Sequence, residues 1–194
     1  MYAENNVAVL GYVTWSPNIE VTPFLKYLEE TGVQFGYPMI RDPDRVGYNF
    51  FYTANVSVRR SFLIEYGLFD EDFPYAAWED IELAYRLEKA GLQIKYNRCA
   101  VGYHDHRIDQ KGFSKRSTLS GRALAVLHQK HPELTKGVNF HEKHEMKTIV
   151  KLLIWRFPPA LGRIIPKKYL YASYNTILAR YIRQGYLEWQ RLAS

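Results

Sequence analysis

The sequence contains very little cysteine: its 194 residues include one, Cys99. An internal disulfide framework is therefore excluded, which favours a reducing compartment and predicts a cytoplasmic location. The residues after Met1 provide neither a basic segment nor a long apolar core, so we do not expect a secretory signal peptide. Internal repeats and low-complexity segments are also lacking. With 47% hydrophobic residues, the chain can bury a substantial core, and its length fits one domain with an appendage.

The charge is unevenly placed along the chain. Residues 1–140 hold 16 Lys and Arg against 17 Asp and Glu, a net charge of −1. Residues 141–194 hold 10 against 3, a net charge of +7, so this segment carries the whole excess of +6. We therefore predict a globular portion over residues 1–140 and a basic tail over residues 141–194.

The tail has short apolar runs and a helical pattern. Residues 149–157 are mostly apolar, two prolines follow, and a Tyr- and Arg-rich pattern typical of an amphipathic helix extends from Tyr169 to about Leu192. Neither run approaches the ~20 apolar residues that span a bilayer. One interpretation places these helices on an anionic membrane surface, peripheral on its inner face. The other lets them cover the sheet or form an oligomer contact. Because no recognised motif accompanies the charge, we expect no nucleic-acid partner.

The segment from Trp78 to Leu87 places acidic residues in the first turn of a predicted helix. The apolar positions of this helix form a stripe that we expect to face the core: Ile81, Leu83, Ala84 and Leu87. The polar positions Glu82, Arg86 and Lys89 should face elsewhere. Gly91 should end the helix. Acidic side chains at this position interact with the positive end of the helix dipole and stabilise the helix by about 0.3–1 kcal/mol each. This stabilisation is by itself a sufficient structural explanation for the acids. A functional explanation needs the neighbouring segments.

Those neighbours have a recognisable order. Residues 51–60 alternate apolar and small polar side chains and predict a strand, residues 67–73 form a turn-rich acidic loop, and residues 93–97 and 99–103 predict strand structure that ends at His104 and His106.

Five motifs occur in sequence: T-x-N-x-S-x-R-R from Thr53, G-x-F-D-E from Gly67, W-E-D-x-E-L-x-x-R-L from Trp78, G-L-x-I-x-Y from Gly91 and H-x-H from His104. Together they closely resemble the C-terminal, acceptor-side half of family 2 glycosyltransferases, from about Val7 to about Leu134. The resemblance implies an α/β chain with a partial GT-A fold (nucleotide-diphospho-sugar transferase-like), followed here by the basic helical tail.

The resemblance also implies roles for individual residues. Asp80 matches the catalytic base of an inverting transfer, Glu79 would orient it or contact the acceptor, and Trp78 would offer a face on which a sugar ring stacks. His104 or His106 matches the histidine that completes a Mg²⁺ or Mn²⁺ site, and the sequence does not choose between them. The partners implied are a nucleotide-sugar donor and a glycan or lipid-linked acceptor of the cell envelope.

Further residues are assigned to substrate binding, each with an alternative. Cations after the histidines would face the leaving diphosphate, on a loop whose mobility Gly112 would permit; they are Arg107, Lys111, Lys115 and Arg116. The alternative is that these cations only form an ordinary solvent-exposed surface without a binding role. Asn55 would contact donor sugar or stabilise a turn, and Asp70 would support the site or only shape its loop.

The sequence departs from this family by an absence. Members carry a nucleotide-binding half that ends in an Asp-x-Asp motif, whereas the D-x-D of this sequence, Asp42-Pro43-Asp44, lies in a polar loop. About one small domain, roughly 90–110 residues, is therefore expected to lie upstream, to belong to a partner chain, or to be lost. The leading hypothesis is a glycosyltransferase; the alternatives are a non-catalytic module that binds glycan or docks at a membrane, and a truncated fragment.

Overall fold

The computed structural model describes residues 5–136 and 164–192. Its strands are β1 (Val7–Trp15), β2 (Val56–Ser57) and β3 (Gln93–His104). Its α-helices are α1 (Pro23–Thr31), α2 (Arg60–Tyr66), α3 (Glu79–Lys89), α4 (Gln110–Lys130) and α5 (Lys167–Leu192). Short 3₁₀ turns occur at Tyr37–Met39, Tyr48–Phe50 and Pro132–Thr135. The described chain is therefore α/β, as predicted.

Contacts divide these residues into two compact units. The first comprises residues 5–20, 28–72 and 78–107, and the second comprises residues 21–27, 73–77, 108–136 and 164–192. The boundary predicted after residue 140 falls outside the described residues.

The first unit is built on a three-stranded sheet with β1 in its centre. β2 pairs antiparallel to β1 and β3 pairs parallel to it. The register shifts between Gly11 and Tyr12, which face Asn97 and Val101, so that three residues of β3 bulge out. Beyond this bulge the strands run on together and bring Trp15 opposite His104. The strand predicted to end at the histidines is therefore confirmed.

Helix α3 covers the core of this unit with the predicted apolar residues Leu83, Ala84 and Leu87, all fully buried. It ends in a Schellman motif: the N–H of Gly91, at φ 94°, donates to the carbonyl of Glu88, and the N–H of Leu92 donates to that of Leu87. The predicted role of Gly91 is confirmed, because a left-handed residue is needed at this position.

Two local predictions are wrong. Residues 51–60 form only the two-residue strand β2, because a 3₁₀ turn at Tyr48–Phe50 and a further turn precede it and α2 begins at Arg60. Glu82 does not face outward but is 1% exposed. Its carboxylate accepts two bonds from the guanidinium of Arg86, at 2.7 and 3.0 Å, and Arg86 also donates to the carbonyl of Leu68 at 2.7 Å. This bidentate pair is what allows the acid to be buried.

The second unit is dominated by the packing of α4 against α5. A Cβ atom at Gly121 would overlap the carbonyl oxygen of Ile182, and one at Gly185 would overlap that of Thr118. The two glycines therefore allow the helix backbones to touch. Nearby, the guanidinium of Arg122 binds the Glu188 carboxylate at 2.9 Å.

The helix predicted from Tyr169 is confirmed, although its apolar side is occupied. α5 buries Leu170, Tyr174, Ile177 and Leu178 within the second unit, where it packs against α4. The covering of the sheet, the oligomer contact and the membrane position stay predictions. The apolar run at 149–157 lies outside the described residues. Across residues 5–136 and 164–192, no helix combines the length and apolar character that a membrane span requires.

Candidate active site

The predicted acids Glu79 and Asp80 open helix α3. The residue before them, Trp78, has φ 71° and ψ −14°. Among the residues that the structure describes, no other non-glycine residue has a positive φ. A bulky side chain in this left-handed conformation costs about 1–3 kcal/mol, and such strain is concentrated at functional sites. Trp78 is partly buried, and its carbonyl accepts the N–H of Glu82. The local fold thus holds a strained tryptophan directly beside two carboxylates.

The pKa of the Asp80 carboxyl is raised from 3.8 to about 6. Burial is the largest cause, because removal from water disfavours the charged form, and the negative charge of Glu79 adds to it. The backbone N–H of Ile81, which donates to Asp80 Oδ1 at 2.9 Å, opposes the shift. A carboxylate of this pKa is ionised at pH 7 yet is a stronger base than an ordinary aspartate.

Tyr52 is a partly buried tyrosine whose ionisation is affected by Asp80. Its pKa is raised first by burial, and the charge of Asp80 raises it further. Its hydroxyl accepts the N–H of Gly36 at 2.8 Å, and its ring packs against Phe35 with centroids 5.2 Å apart. Phe35 in turn lies 6.1 Å from the imidazole of His104. Tyr52 and Phe35, which the sequence did not single out, therefore pack toward His104, and the charge of Asp80 reaches Tyr52 electrostatically.

His104 and His106 occupy different surroundings. His104 is partly buried at the end of β3, with its ring edge-on to Trp15 at 5.8 Å, whereas His106 is exposed in the loop that follows. Mg²⁺ demands six ligands, mostly oxygens. Among the described residues, no group of three or more His, Cys, Asp and Glu side chains could hold a metal ion. These residues do not by themselves fit a Mg²⁺ or Mn²⁺ site, and the ligand role of the two histidines stays a prediction.

Asn55 lies at the centre of the sheet irregularity. Its side-chain amide donates to the carbonyls of Tyr12 at 3.1 Å and Ala100 at 2.9 Å, and its own carbonyl accepts the N–H of Gly11. A Cβ atom at Gly11 would overlap this amide. Both amide hydrogens are thus engaged by the backbone of β1 and β3, which favours the structural alternative over a contact with donor sugar.

Asp70 stabilises its own loop. Its Oδ1 accepts the N–H of Asp72 at 2.9 Å, which is the geometry of an Asx turn. The D-x-D sequence behaves alike, since Asp42 Oδ1 accepts the N–H of Asp44 and all three of its residues are exposed. Neither acidic cluster is presented by a buried strand.

The predicted basic loop is mostly helix. α4 begins at Gln110, and its N-cap Asp109 accepts the N–H of Gly112 at 2.6 Å. Lys111, Lys115 and Arg116 are therefore exposed residues of a regular helix, while Arg107 lies in the short loop before it. The expected loop is therefore wrong from Gln110 onward, where Gly112 lies in the first helical turn, and its mobility stays a prediction.

Comparison with known proteins agrees with the motifs. A pre-mycofactocin glycosyltransferase of Mycobacterium tuberculosis is 32% identical over 83 residues, or 43% of this chain. An uncharacterized glycosyltransferase of Bacillus subtilis is 34% identical over 87 residues, also 43% of the chain. A chondroitin synthase of Escherichia coli is 29% identical over 108 residues, or 56%. The first two of these relatives are glycosyltransferases by name.

The similarity is partial in two respects. No protein-family model matches the chain. The matched segments also make up only 17%, 21% and 16% of the length of the three relatives. The comparisons therefore support a glycosyltransferase relationship without distinguishing family 2 from other families.

Proposed function

We propose that this chain carries the acceptor-side part of a family 2-like glycosyltransferase with a GT-A fold, in which Asp80 is the catalytic base. The observation that carries the proposal is the pKa of the Asp80 carboxyl, raised to about 6 by burial and by Glu79 at the start of α3. General bases function best when their pKa lies near the working pH. The names of the partial relatives support the same reaction class.

The proposed reaction moves a sugar from a nucleotide-sugar donor to a hydroxyl of a glycan or lipid-linked acceptor. Asp80 takes the proton of that hydroxyl as its oxygen forms a bond to the anomeric carbon. The bond from this carbon to the donor diphosphate breaks, and the diphosphate leaves with the electron pair. Attack from the opposite side of the leaving group inverts the anomeric carbon.

The neighbours of Asp80 have supporting roles in this scheme. Burial and, after it, the charge of Glu79 keep the pKa of Asp80 high. Trp78 presents an apolar side chain beside the acids for an acceptor ring. Cations stabilise a leaving diphosphate electrostatically, and the exposed side chain of Arg107, in the same unit as Asp80, would supply one. No step in this scheme uses a metal ion.

The experiment is a transfer assay with the purified chain, a panel of nucleotide sugars and hydroxyl-bearing acceptors. Asp80→Asn keeps the size of the side chain but removes the base, so turnover should fall by about 10²–10⁴-fold. Asp44→Asn, a matched change at an exposed aspartate, should leave turnover unchanged. Full turnover by a folded Asp80→Asn variant would remove Asp80 from its role, and no turnover by the wild-type chain would refute transfer by this chain.

A further inference from the structure

A cleft of about 360 Å³ lies in the first unit, bounded by the second half of β1, the end of α1, the loop after α1 and β3. We call it the aromatic cleft; the lining residues used below are Tyr12, Glu29, Gln34, Tyr37, Tyr96 and Arg98. Asp80 is not among its lining residues. Its volume is at the lower end of the 300–1,000 Å³ typical of small-molecule sites, which limits an occupant to one or two rings.

Gln34 has an unusual environment in this cleft. Both its Oε1 and its Nε2 atoms are buried, and neither has a hydrogen-bond partner among the described residues. A buried amide without partners is unfavourable for folding, so such a group calls for an explanation. A carboxamide both donates and accepts. A ligand hydroxyl, which does the same, would satisfy it once the side chain turns toward the cleft.

Charged groups in the cleft balance one another. The Oε1 atom of Glu29 accepts hydrogen bonds from the Tyr12 hydroxyl at 3.0 Å and the Thr14 hydroxyl at 2.8 Å. Because both bonds fall on Oε1, the other oxygen of the carboxylate has acceptor capacity left. Arg98, an exposed side chain, adds hydrogen-bond donors of opposite charge. One anion and one cation suit a neutral, polyhydroxylated ligand.

The aromatic rings favour a saturated ring over a flat one. Tyr37 meets Tyr12 edge-on at 5.2 Å and is stacked on Tyr96 at 5.6 Å with an interplanar angle of 18°. These rings already contact one another, so they leave no slot between parallel faces into which a nucleobase would insert. A sugar ring instead places its C–H face against ring edges and faces while its hydroxyls reach the polar groups.

We propose that the aromatic cleft binds one ring of a neutral sugar, with Gln34 and Glu29 as its hydrogen-bonding residues. This binding does not depend on Asp80 acting as a base. The cleft would hold a glycan unit whether or not the chain transfers sugar.

The test is saturation-transfer NMR titration of the intact chain with methyl β-D-glucopyranoside, methyl β-D-galactopyranoside and methyl N-acetyl-β-D-glucosaminide. Uridine serves as a flat-ring comparison. We expect at least one glycoside to bind, with tenfold or greater weakening in Gln34→Met. Since this variant loses no hydrogen bond of the free protein, its thermal midpoint should equal or exceed that of the wild type. Gln93→Met, at an exposed glutamine of the same unit, should bind as the wild type does.

Three results would overturn the proposal: no glycoside binds the folded chain, uridine alone binds, or Gln34→Met binds as tightly as the wild type. Asp80→Asn separates this proposal from the transfer reaction. Glycoside binding should survive in Asp80→Asn even if turnover is lost. Binding that disappears in Asp80→Asn but persists in Gln34→Met would assign the sugar to the acids of α3 and refute the cleft.

Discussion

Glu79 and Asp80 are neighbours in the first turn of α3, and the negative charge of Glu79 adds to the effect of burial in raising the pKa of the Asp80 carboxyl. The helix dipole and the N–H of Ile81 favour the ionised form. Burial and the second carboxylate outweigh them. This balance gives the chain an acid whose ionisation affects stability as well as the proposed chemistry.

Asp80→Asn should stabilise the protein at neutral pH. A shift from 3.8 to about 6 corresponds to at most about 3 kcal/mol at 1.36 kcal/mol per unit, and partial exposure of the side chain reduces the expected gain to about 1–2 kcal/mol. In the wild type, Asp80 is protonated below about pH 4 and does not destabilise the fold. The free energy of unfolding then falls as the pH rises through about 6 and the buried carboxyl ionises. The gain should therefore be full above pH 7 and absent below about pH 4, as measured by urea unfolding.

Asp44→Asn is the matched control for this measurement, because Asp44 is exposed. Its free energy of unfolding should follow the wild-type pH dependence. A gain from Asp80→Asn that is independent of pH would show that ionisation of Asp80 is not its cause.

Asn55→Ala should destabilise the first unit by about 1–3 kcal/mol, because the carbonyls of Tyr12 and Ala100 lose their donor. Asn55→Asp should cost more, since it turns a carboxylate toward those two carbonyl oxygens. Asn18→Ala, at an exposed asparagine, should stay within about 0.5 kcal/mol of the wild type. Chemical denaturation measures all three, and an Asn55→Ala protein of wild-type stability would contradict the structural role.

Gly121→Ala and Gly185→Ala should each destabilise the second unit by at least about 2–3 kcal/mol, because a methyl group has no room between the α4 and α5 backbones. Gly112→Ala is the control. Its Cβ would meet only the movable carboxylate of Asp109 at 2.9 Å, so its effect should stay within about 1 kcal/mol. Equal melting temperatures for the three variants would disprove the close helix contact.

Arg86→Met should destabilise α3 by about 1–3 kcal/mol, since it leaves the buried carboxylate of Glu82 without its bidentate partner. The pair is not fully buried, because the Arg86 side chain is 30% exposed. Adding Glu82→Gln to Arg86→Met should recover part of the loss, as a neutral amide is easier to bury. Arg60→Met, at an exposed arginine, is the control. Failure of the double variant to recover stability would mean that packing of the arginine stem, rather than charge, is responsible.

The sequence predicted local features that depend on neighbouring residues. The start of α3, the glycine that ends it and the strand that reaches His104 follow from periodicity and capping rules. The aromatic cleft follows from contacts between distant segments, such as Glu29 with Tyr12 and Thr14. One signal was present, because Tyr12 and Thr14 are polar residues two apart on one face of β1.

The two wrong predictions in the first unit concern Glu82 and residues 51–60. Periodicity placed Glu82 on the outer face of α3, whereas its bidentate pair with Arg86, one turn further along the helix, allows this acid to be buried. Alternation predicted a long strand at residues 51–60, but turns precede Val56 and α2 begins at Arg60, so only two residues pair with β1.

The pH dependence of kcat/KM for sugar transfer, in the wild type and in Glu79→Gln, tests the central claim most directly. If Asp80 is the base, the rate should rise through a pKa of about 6 and then level off, because the ionised form is required. In Glu79→Gln the midpoint should move to lower pH, since the neighbouring charge is gone. The assignment of Asp80 would be contradicted if kcat/KM showed no inflection between about pH 5 and 7. It would also be contradicted if the midpoint were the same in Glu79→Gln as in the wild type.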